Sequence, residues 1–191
     1  MIDLKITTQV RSTWHLFSQS SLITFGLRQK IPGLDEQLIL LEQQHGFNII
    51  ESQLIDLHIK DVYTDSQMHL YIAITESQRN ARNHGGDVYF TLTRYSPATA
   101  QPTFFESYIF DKGDGFPLDK HGIPQIQDAL KPYVSLSPYG ECGLGLTNAV
   151  EAADICEIEC SGFLFEKKSP TIHKLPFEPI KGVMIHLLKY I

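Results

Sequence analysis

The residues best suited to chemistry lie in a predicted helix, where Glu76, Asn80 and His84 recur every four positions. At helical rotation this spacing drifts by only about 80° in total, so the three side chains form one polar stripe. A glutamate can act as a general base, and an amide oxygen is a hard ligand suited to Mg²⁺. A buried polar stripe needs partners, which backbone and water supply as readily as a bound ligand with a metal. The spacing alone therefore leaves a structural and a functional interpretation open.

Two glycine motifs follow further along the chain. Asp111, Gly113 and Gly115 form an Asp-x-Gly-x-Gly sequence directly after a predicted strand. This pattern predicts a buried carboxylate acceptor and a backbone that can approach a flat ligand. Gly143 and Gly145 open a predicted helix, whose free N–H groups and dipole suit phosphate. Each motif alone is more often an ordinary turn, but their order along the chain is specific.

Cysteine and histidine residues suggest a zinc site, which geometry disfavours. Cys142, Cys156, Cys160 and His173 are the candidate ligands. Cys156 and Cys160 lie on one predicted strand, about 13 Å apart. Zinc–sulfur bonds of about 2.3 Å do not allow two such residues to share a metal. We therefore expect these cysteines to be core thiols.

Length and composition describe an ordinary globular protein. The chain has 191 residues, of which 42% are apolar and 20% charged, which fits one domain with one sizeable core. A net charge of −6 without a basic cluster argues against nucleic acid as a partner. No apolar run approaches membrane-spanning length, and the first residues lack a signal-peptide layout. Three cysteines without framework spacing fit a reducing compartment, so we expect a cytoplasmic protein.

Hydrophobic periodicity predicts an α+β protein in which helices alternate with paired strands. Helices are predicted over residues 12–30, 34–45, 65–83, 126–130 and 147–153. Strands or extended segments are predicted over residues 2–8, 47–60, 87–95, 103–111, 155–160, 162–166 and 183–188. Residues 116–142 form a long connection, and the Pro-rich residues 167–181 are predicted to be a loop. The strands 87–95 and 103–111 are expected to form an antiparallel hairpin.

In this order the motifs resemble the GHKL superfamily of ATPases and kinases, which includes gyrase, histidine kinases and mismatch-repair ATPases. The sequence Glu76-x-x-x-Asn80-Ala-x-x-His84 is similar to the N box of that superfamily. The segments that begin at Asp111 and Gly143 are similar to its first and second glycine boxes. The resemblance covers about residues 60–191 and implies the Bergerat fold. That fold is a two-layer α/β sandwich with a mixed, mainly antiparallel sheet, helices on one face, and ATP bound between helices under a mobile lid.

The resemblance also implies roles for the motif residues in binding ATP and Mg²⁺. Glu76 would be the general base, Asn80 would hold the Mg²⁺ that bridges the phosphates, and Asp111 would bond the adenine amino group. Residues 116–142 would form the lid. The implied nucleotide-binding residues are Asn80, Asn83, His84, Asp111, Gly113, Gly115, Gly143, Leu144 and Gly145.

Two positions depart from the pattern of the superfamily. Glu141 stands where the second glycine box often has its first glycine, and a carboxylate there would repel phosphate. The last strand begins with Gly182 and Val183, whereas the superfamily often has Gly-Thr, so a hydroxyl near adenine is missing. Arg79 and Arg82, next to the polar stripe, could contact phosphate or solvent.

Within the superfamily, the spacing of Asp65, Glu76 and Asn80 is similar to that of the anti-sigma-factor serine kinases. This implies a regulatory kinase that phosphorylates a small partner protein, or binds it under ATP control. A catalytically weak ATP-binding module and a histidine-kinase-like ATPase domain remain alternatives, with His15 as the only candidate phosphoacceptor. An unrelated α/β protein with coincidental motifs also stays open.

We expect a single domain over residues 1–191, with a core at 61–191. The N-terminal residues 1–60 could dock a partner, form a homodimer or complete the sheet.

Overall fold

The computed structural model describes residues 4–19, 33–51, 65–84, 89–95, 104–131 and 145–190. These segments contain helices and strands in alternation. The helices are α1 (Leu4–Gln19), α2 (Leu34–His45), α3 (Asp65–His84), α4 (Ile126–Ala129) and α5 (Gly145–Ala152). The strands are β1 (Asn48–Glu51), β2 (Tyr89–Tyr95), β3 (Phe104–Asp111), β4 (Ile155–Cys160), β5 (Phe163–Glu166), β6 (Ser169–Lys174) and β7 (Val183–Tyr190).

The described strands form one sheet in the order β1-β2-β3-β7-β4-β5-β6. Every neighbouring pair is antiparallel, so the predicted α+β class and mainly antiparallel sheet are confirmed. The last strand, β7, lies in the middle of the sheet between β3 and β4. The pairing of Phe110 with Met184 brings the end of β3 next to the start of β7. This topology places Asp111 beside Val183.

One face of the sheet is covered by α3, α4 and α5. Alternate residues of the central strands point to this face, because successive side chains of a strand point to opposite sides. They pack against apolar residues of the helices in one buried cluster. The strand residues include Phe105, Ile109, Cys156, Ile158, Ile185 and Leu187, and the helix residues include Leu70, Ala73, Ile74, Ile126, Leu146 and Ala149.

The opposite face is covered by α1 and α2. The residues between those named above, such as Tyr108, Phe110 and Met184, form a second buried cluster with these helices. The helix residues are Ile6, Val10, Trp14, Phe17, Leu34, Leu38 and Leu41. The prediction placed helices on one face only, and the structure adds this second helical layer. Its physical basis is that both faces of β3 and β7 are mainly apolar, and the second face also carries the paired Glu106 and His186, so each face is removed from water.

Two predicted elements are wrong. Residues 4–8, expected in a strand, belong to α1, because Ile6, Val10 and Trp14 share one buried helical stripe. The predicted loop over residues 167–181 contains strand β6, which pairs with β5. Pro170 is tolerated there because β6 lies at the edge of the described sheet.

The other predicted elements in the described residues are present with small shifts in their ends. Helix α2 is capped by Gly46, as its sequence predicts. This glycine has a φ of 69°, its N–H donates to the carbonyl oxygen of Glu42, and the N–H of Phe47 donates to that of Leu41. The predicted segments 20–30 and 52–60 lie outside the described residues. Among the helices that the structure describes, none is long and apolar enough to cross a membrane.

Candidate functional site

The predicted N-box residues lie where α3 meets the start of α5. A Cβ atom placed on Gly145, the first residue of α5, would be 3.0 Å from Oε2 of Glu76 and 3.5 Å from Nδ2 of Asn80. The missing side chain at Gly145 therefore allows the α5 backbone to approach the polar stripe closely. The two helices are held together by apolar residues of the same cluster, including Ala73 and Ala149. The fold thus brings together two motifs that are about 65 residues apart in the chain.

The Glu76 carboxylate is bound on one side and faces α5 on the other. Its Oε1 accepts a hydrogen bond of 3.0 Å from Nη1 of Arg79, which is one helical turn away. Asn80 is half-buried, whereas Asn83 and His84, in the last turn of α3, are exposed. The predicted stripe is therefore accessible at its C-terminal end. Arg79, which could contact phosphate or solvent, contacts the carboxylate of Glu76 in this structure.

The start of α5 is a favourable place for negative charge. The first N–H groups of a helix have no partner within the helix, and the helix dipole adds positive potential there. Thr147 in the first turn donates to the carbonyl oxygen of Leu130 over 3.0 Å. This bond fixes α5 to the segment after α4. The segment predicted to resemble a second glycine box is described only from Gly145 onward, because Glu141, Gly143 and Leu144 lie outside the described residues.

Asp111 ends β3 and is almost fully buried, with 6% of its surface exposed. Its Oδ1 accepts hydrogen bonds from the backbone N–H of Gly113 (2.9 Å) and of Val183 (3.2 Å). The carboxylate therefore joins the turn after β3 to the first residue of β7. The predicted role of Asp111 as a buried acceptor is consistent with this geometry.

Burial of the Asp111 carboxyl raises its pKa to about 6. The backbone N–H groups of Gly113 and Val183, and the electrostatic influence of His84, act in the opposite direction and are outweighed. Perturbed carboxyl groups of this kind are common at functional sites, where burial prepares them for a ligand. The electrostatic influence of His84 on this carboxyl group couples the last turn of α3 to the end of β3.

The glycines near Asp111 have structural reasons as well as the predicted ligand role. Gly115 has a φ of 78°, and a Cβ there would be 2.5 Å from Sγ of Cys160. Gly182 has a φ of 109°, and a Cβ there would overlap the carbonyl oxygen of Asp111. Both positions need glycine because of conformation and close packing. The neighbouring Gly113 contributes its N–H to the carboxylate, as described above.

A tryptophan that the sequence did not connect with this site also contacts Asp111. Nε1 of Trp14, in the middle of α1, donates to the carbonyl oxygen of Asp111 over 3.1 Å, and the bond is buried. The two residues are 97 positions apart. The sequence signal was only that Trp14 lies on the inner side of a predicted helix, which indicates burial but no partner.

The connection expected to form the lid is partly described. Residues 116–131 contain α4 and a short antiparallel bridge between Leu118 and Pro124. Oδ1 of Asp119 accepts from the N–H groups of His121 and Ile123, which closes the turn within this bridge. Residues 132–142 of the connection lie outside the described part of the chain.

The cysteines of β4 are buried free thiols, as expected from their spacing. Burial raises the pKa of Cys156 to about 12. In the described ranges, no group of three or more His, Cys, Asp or Glu residues could hold a metal ion. Cys142, the third candidate zinc ligand, lies outside those ranges.

Comparison with known proteins gave no match: none of the family models fits the sequence, and searches of the curated proteins and of the solved structures found no similar protein. The site is therefore interpreted from its own geometry. It combines a carboxylate and an amide on α3, the first N–H groups of α5, and a buried carboxylate at the end of β3. These are, respectively, a candidate base, a metal ligand, an anion site and an acceptor for a polar ligand group.

Proposed function

We propose that the chain binds ATP with Mg²⁺ between α3, α5 and the end of β3, and uses it to phosphorylate a small regulatory protein. The observation that carries this proposal is the contact of Gly145 with Glu76 and Asn80. It places a candidate base and a metal ligand directly beside a helix N-terminus that suits phosphate. The anti-sigma-factor serine kinases, which the sequence resembles, combine these features in the same order.

Asp111 would bind the adenine end of the nucleotide. Its Oδ1 is already occupied by two backbone N–H groups. The amino group of adenine would donate to the second oxygen, Oδ2. A hydrogen bond to the ionised carboxylate favours the charged form, so nucleotide binding would offset part of the effect of burial. Because the carboxylate is held by β7 as well as by the turn after β3, its acceptor direction is fixed before binding.

The start of α5 and Asn80 would bind the phosphate end. The amide oxygen of Asn80 fits Mg²⁺, which prefers oxygen ligands and takes several of them from phosphates and water. Bound Mg²⁺ would neutralise charge on the phosphates. The backbone N–H groups that begin α5 would donate to phosphate oxygens, and the absence of a side chain at Gly145 leaves room for this approach.

Glu76 would accept the proton from the attacking hydroxyl of the partner protein. The hydroxyl oxygen would form a bond to the terminal phosphorus, the bond between that phosphorus and the bridging oxygen would break, and ADP would leave. Oε2 of Glu76 faces the start of α5, where the phosphates would lie. The carboxylate is therefore on the correct side of the helix for this role.

Titration calorimetry with ATP, with and without Mg²⁺, tests the binding step. We expect Asp111→Asn to abolish binding in both conditions, because the amide in its place presents an N–H group as well as an oxygen to the adenine amino group. Asn80→Ala should remove the gain in affinity that Mg²⁺ provides. Asn48→Ala, an exposed asparagine of β1, is the matched control and should bind as the native chain does. Absence of binding by the native chain at millimolar ATP would contradict the proposal.

A second candidate function is an ATP-controlled binding module without turnover. The hydrogen bond between Arg79 and Oε1 of Glu76 favours it, because that bond occupies one of the two oxygens of the candidate base. Steady consumption of ATP by the native chain, lost in Asn80→Ala and in Glu76→Gln, would exclude this candidate. An increase of that consumption in Arg79→Ala would show that the ion pair restrains the base.

The histidine-kinase-like alternative depends on His15. This residue is exposed on α1 and lies 2.8 Å from the side-chain nitrogen of Gln19. Incubation with labelled ATP followed by acid treatment separates the two kinase alternatives, because phosphohistidine is acid-labile and phosphoserine is stable. Acid-labile label on the chain itself, absent from His15→Gln, would favour the histidine-kinase-like function.

A further inference from the structure

Helix α1 contacts the backbone of the residue that we expect to bind adenine. We infer that α1 is part of the nucleotide site and that Trp14 is a positioning residue, whose indole N–H holds Asp111 in the orientation that receives the nucleotide. The inference rests on the proposed ATP function, and it adds to that function a role for the N-terminal part of the chain. Trp14 is fully buried and donates to the carbonyl oxygen of Asp111 over 3.1 Å.

The hydrogen bond from Trp14 controls the direction of the turn that follows Asp111. The carbonyl oxygen of Asp111 belongs to the same planar peptide as the nitrogen of Lys112, so fixing this oxygen fixes the orientation of that peptide. The next N–H group, that of Gly113, donates back to Oδ1 of the Asp111 side chain. A rotation of the peptide would withdraw this donor. The indole N–H therefore acts on the carboxylate through the backbone.

Strand β7 limits the movement of Asp111 from the other side. Gly182 packs so closely on the carbonyl oxygen of Asp111 that a Cβ would overlap it, and Val183 donates to the carboxylate. The carbonyl oxygen thus contacts both Gly182 and the indole of Trp14. Without the indole, the contact with Gly182 would remain and the hydrogen bond from α1 would be lost. The expected effect of losing Trp14 is therefore a change in Asp111 itself rather than a general loosening of the sheet.

Helix α1 is itself held to the sheet on both sides of Trp14, so the hydrogen bond from Trp14 comes from a fixed position. Arg11, one turn before Trp14, makes a two-pronged ion pair with Glu159 of β4, and the shortest distance is 2.6 Å. Phe17, one turn after Trp14, packs edge-to-face on Phe110, with ring centroids 5.8 Å apart. Both partners belong to the central strands. Because the bonds on either side of Trp14 hold α1 to the sheet, a displacement of α1 would be transmitted to Asp111.

Trp14→Phe tests the inference, because it keeps an aromatic ring and removes the N–H donor. The matched control is Tyr108→Phe, which removes a buried ring-borne donor from the same cluster: the hydroxyl of Tyr108 donates to Glu106, not to Asp111. The first measurement is amide hydrogen exchange by NMR in the absence of nucleotide. We expect the amides of Gly113 and Val183 to exchange about tenfold faster in Trp14→Phe, relative to the core amide of Ile158. Tyr108→Phe should leave this ratio unchanged.

The second measurement is ATP affinity by calorimetry. We expect Trp14→Phe to weaken binding about tenfold and Tyr108→Phe to leave it unchanged. Unchanged exchange at Gly113 and Val183 in Trp14→Phe would overturn the inference, whatever the affinity. Faster exchange at these amides in a chain whose native form does not bind ATP would overturn the nucleotide role and the proposed function, but not the hold of Trp14 on Asp111.

A further measurement uses the native chain, in case Trp14→Phe does not fold. Trp14 is the only tryptophan in the sequence, so the indole N–H gives a single NMR resonance. We expect this resonance to shift when ATP is added to the native chain, and not when it is added to Asp111→Asn. A resonance that stays in place while calorimetry shows ATP binding would overturn the inference.

Discussion

At the scale of the single residue, the buried position of Asp111 disfavours the ionised form of its carboxyl group. Burial raises its pKa to about 6, although two backbone N–H groups donate to one of its oxygens. The folded pKa is above the ordinary aspartate pKa of 3.8, so ionisation lowers the stability of the unliganded fold as the pH rises from there. The loss is complete above about pH 6. A ligand that donates to the carboxylate would reverse it.

Asp111→Asn should therefore stabilise the unliganded chain at neutral pH while removing ATP binding. An asparagine side-chain oxygen can still accept from Gly113 and Val183, but it carries no charge to be buried. We expect the free energy of unfolding to rise by about 1–3 kcal/mol near pH 7.5, and the gain to disappear near pH 4. Urea denaturation at the two pH values measures this. Asp114→Asn, at an exposed neighbour, should change little. A lower stability of Asp111→Asn near pH 7.5 would contradict the argument.

At the scale of the elements, His186 joins three central strands on the face covered by α1 and α2. Its Nε2 lies 2.9 Å from Glu106 of β3, and its Nδ1 lies 2.9 Å from Glu157 of β4. The ring of Tyr108 stacks on the imidazole, with centroids 4.1 Å apart. Both ring nitrogens can donate only in the protonated imidazole. The network therefore stabilises the sheet through a buried cation between two carboxylates, with Arg94 also bonded to Glu106.

This network predicts that stability declines toward alkaline pH. Burial alone would lower the pKa of His186, but hydrogen bonds and charge interactions with Glu106 and Glu157 outweigh it and raise the pKa. A raised folded pKa contributes stability that is full below the unfolded value of about 6.5 and is lost as the pH rises through the folded pKa. In urea denaturation, the stability difference between the native chain and His186→Gln should therefore be larger at about pH 6 than at about pH 9.

His173→Gln is the control for this pH dependence. His173 is 2.9 Å from Glu166 at the surface, and its side chain is 44% exposed. Exposed ion pairs contribute about 0–1 kcal/mol, so this variant should follow the native pH profile closely. The same pH profile for His186→Gln and for the native chain would contradict the role assigned to His186.

The contact between α5 and α3 predicts a variant that separates binding from stability. Gly145→Ala adds a methyl group close to Glu76 and Asn80, where we expect phosphate and Mg²⁺. The new Cβ would lie 3.0 Å from the Glu76 carboxylate and 3.3 Å from Cβ of Glu76, so the Glu76 side chain must shift by a few tenths of an ångström. The higher helix propensity of alanine, at most about 1 kcal/mol, offsets this cost. We therefore expect nearly unchanged stability but at least about tenfold weaker binding of ATP with Mg²⁺ in calorimetry.

Gly46→Ala is the converse control. Gly46 has a φ of 69°, and a Cβ there has no atom within 4 Å. Alanine at a left-handed position should lower stability by about 1–2 kcal/mol without any change in ATP affinity.

Strong ATP binding by Gly145→Ala would mean that phosphate does not bind at the start of α5.

The elements could be predicted from the sequence where a local pattern was long enough. Helix α3 shows apolar residues at helical spacing within its 20 residues, and β3 is an eight-residue run rich in aromatic side chains. The first residues of α1 were misread because Ile2, Leu4 and Ile6 alternate over too few positions to exclude a strand. Their true period becomes visible only with Val10 and Trp14.

The site could be predicted only in part, because motif spacing gives residue types and not long-range contacts. The motifs identified Glu76, Asn80 and Asp111, and the structure places the first two beside Gly145. The hydrogen bond of Trp14 and the packing of Gly182 on Asp111 depend on the order of strands in the sheet. No local pattern contains that order. The packing of Gly182 on Asp111 follows from the position of β7 between β3 and β4.

At the scale of the whole molecule, the N-terminal helices share a core with the sheet that holds the motifs. Ile6, Val10, Trp14 and Phe17 of α1 are each at most 5% exposed. They pack with Leu92, Phe110 and Met184 of the sheet and with three leucines of α2. The role expected for residues 1–60 was open between docking a partner, forming a dimer and completing the sheet. The pairing of β1 with β2 favours the last of these, and the contacts of α1 and α2 add a helical layer to that sheet.

Removal of residues 1–19 should therefore prevent cooperative folding of the remaining chain. The four buried side chains of α1 contribute about 1.5–3 kcal/mol each, and their sum is comparable with the 5–15 kcal/mol that stabilises a typical domain. We expect the truncated chain to bind a hydrophobic dye and to show no cooperative transition in urea, followed by circular dichroism. Removal of residues 1–3 alone leaves α1 in place and should preserve the transition. A cooperative transition of residues 20–191 with unchanged denaturant dependence would instead mean that α1 is a separable extension, and Trp14 could not then be required for the orientation of Asp111.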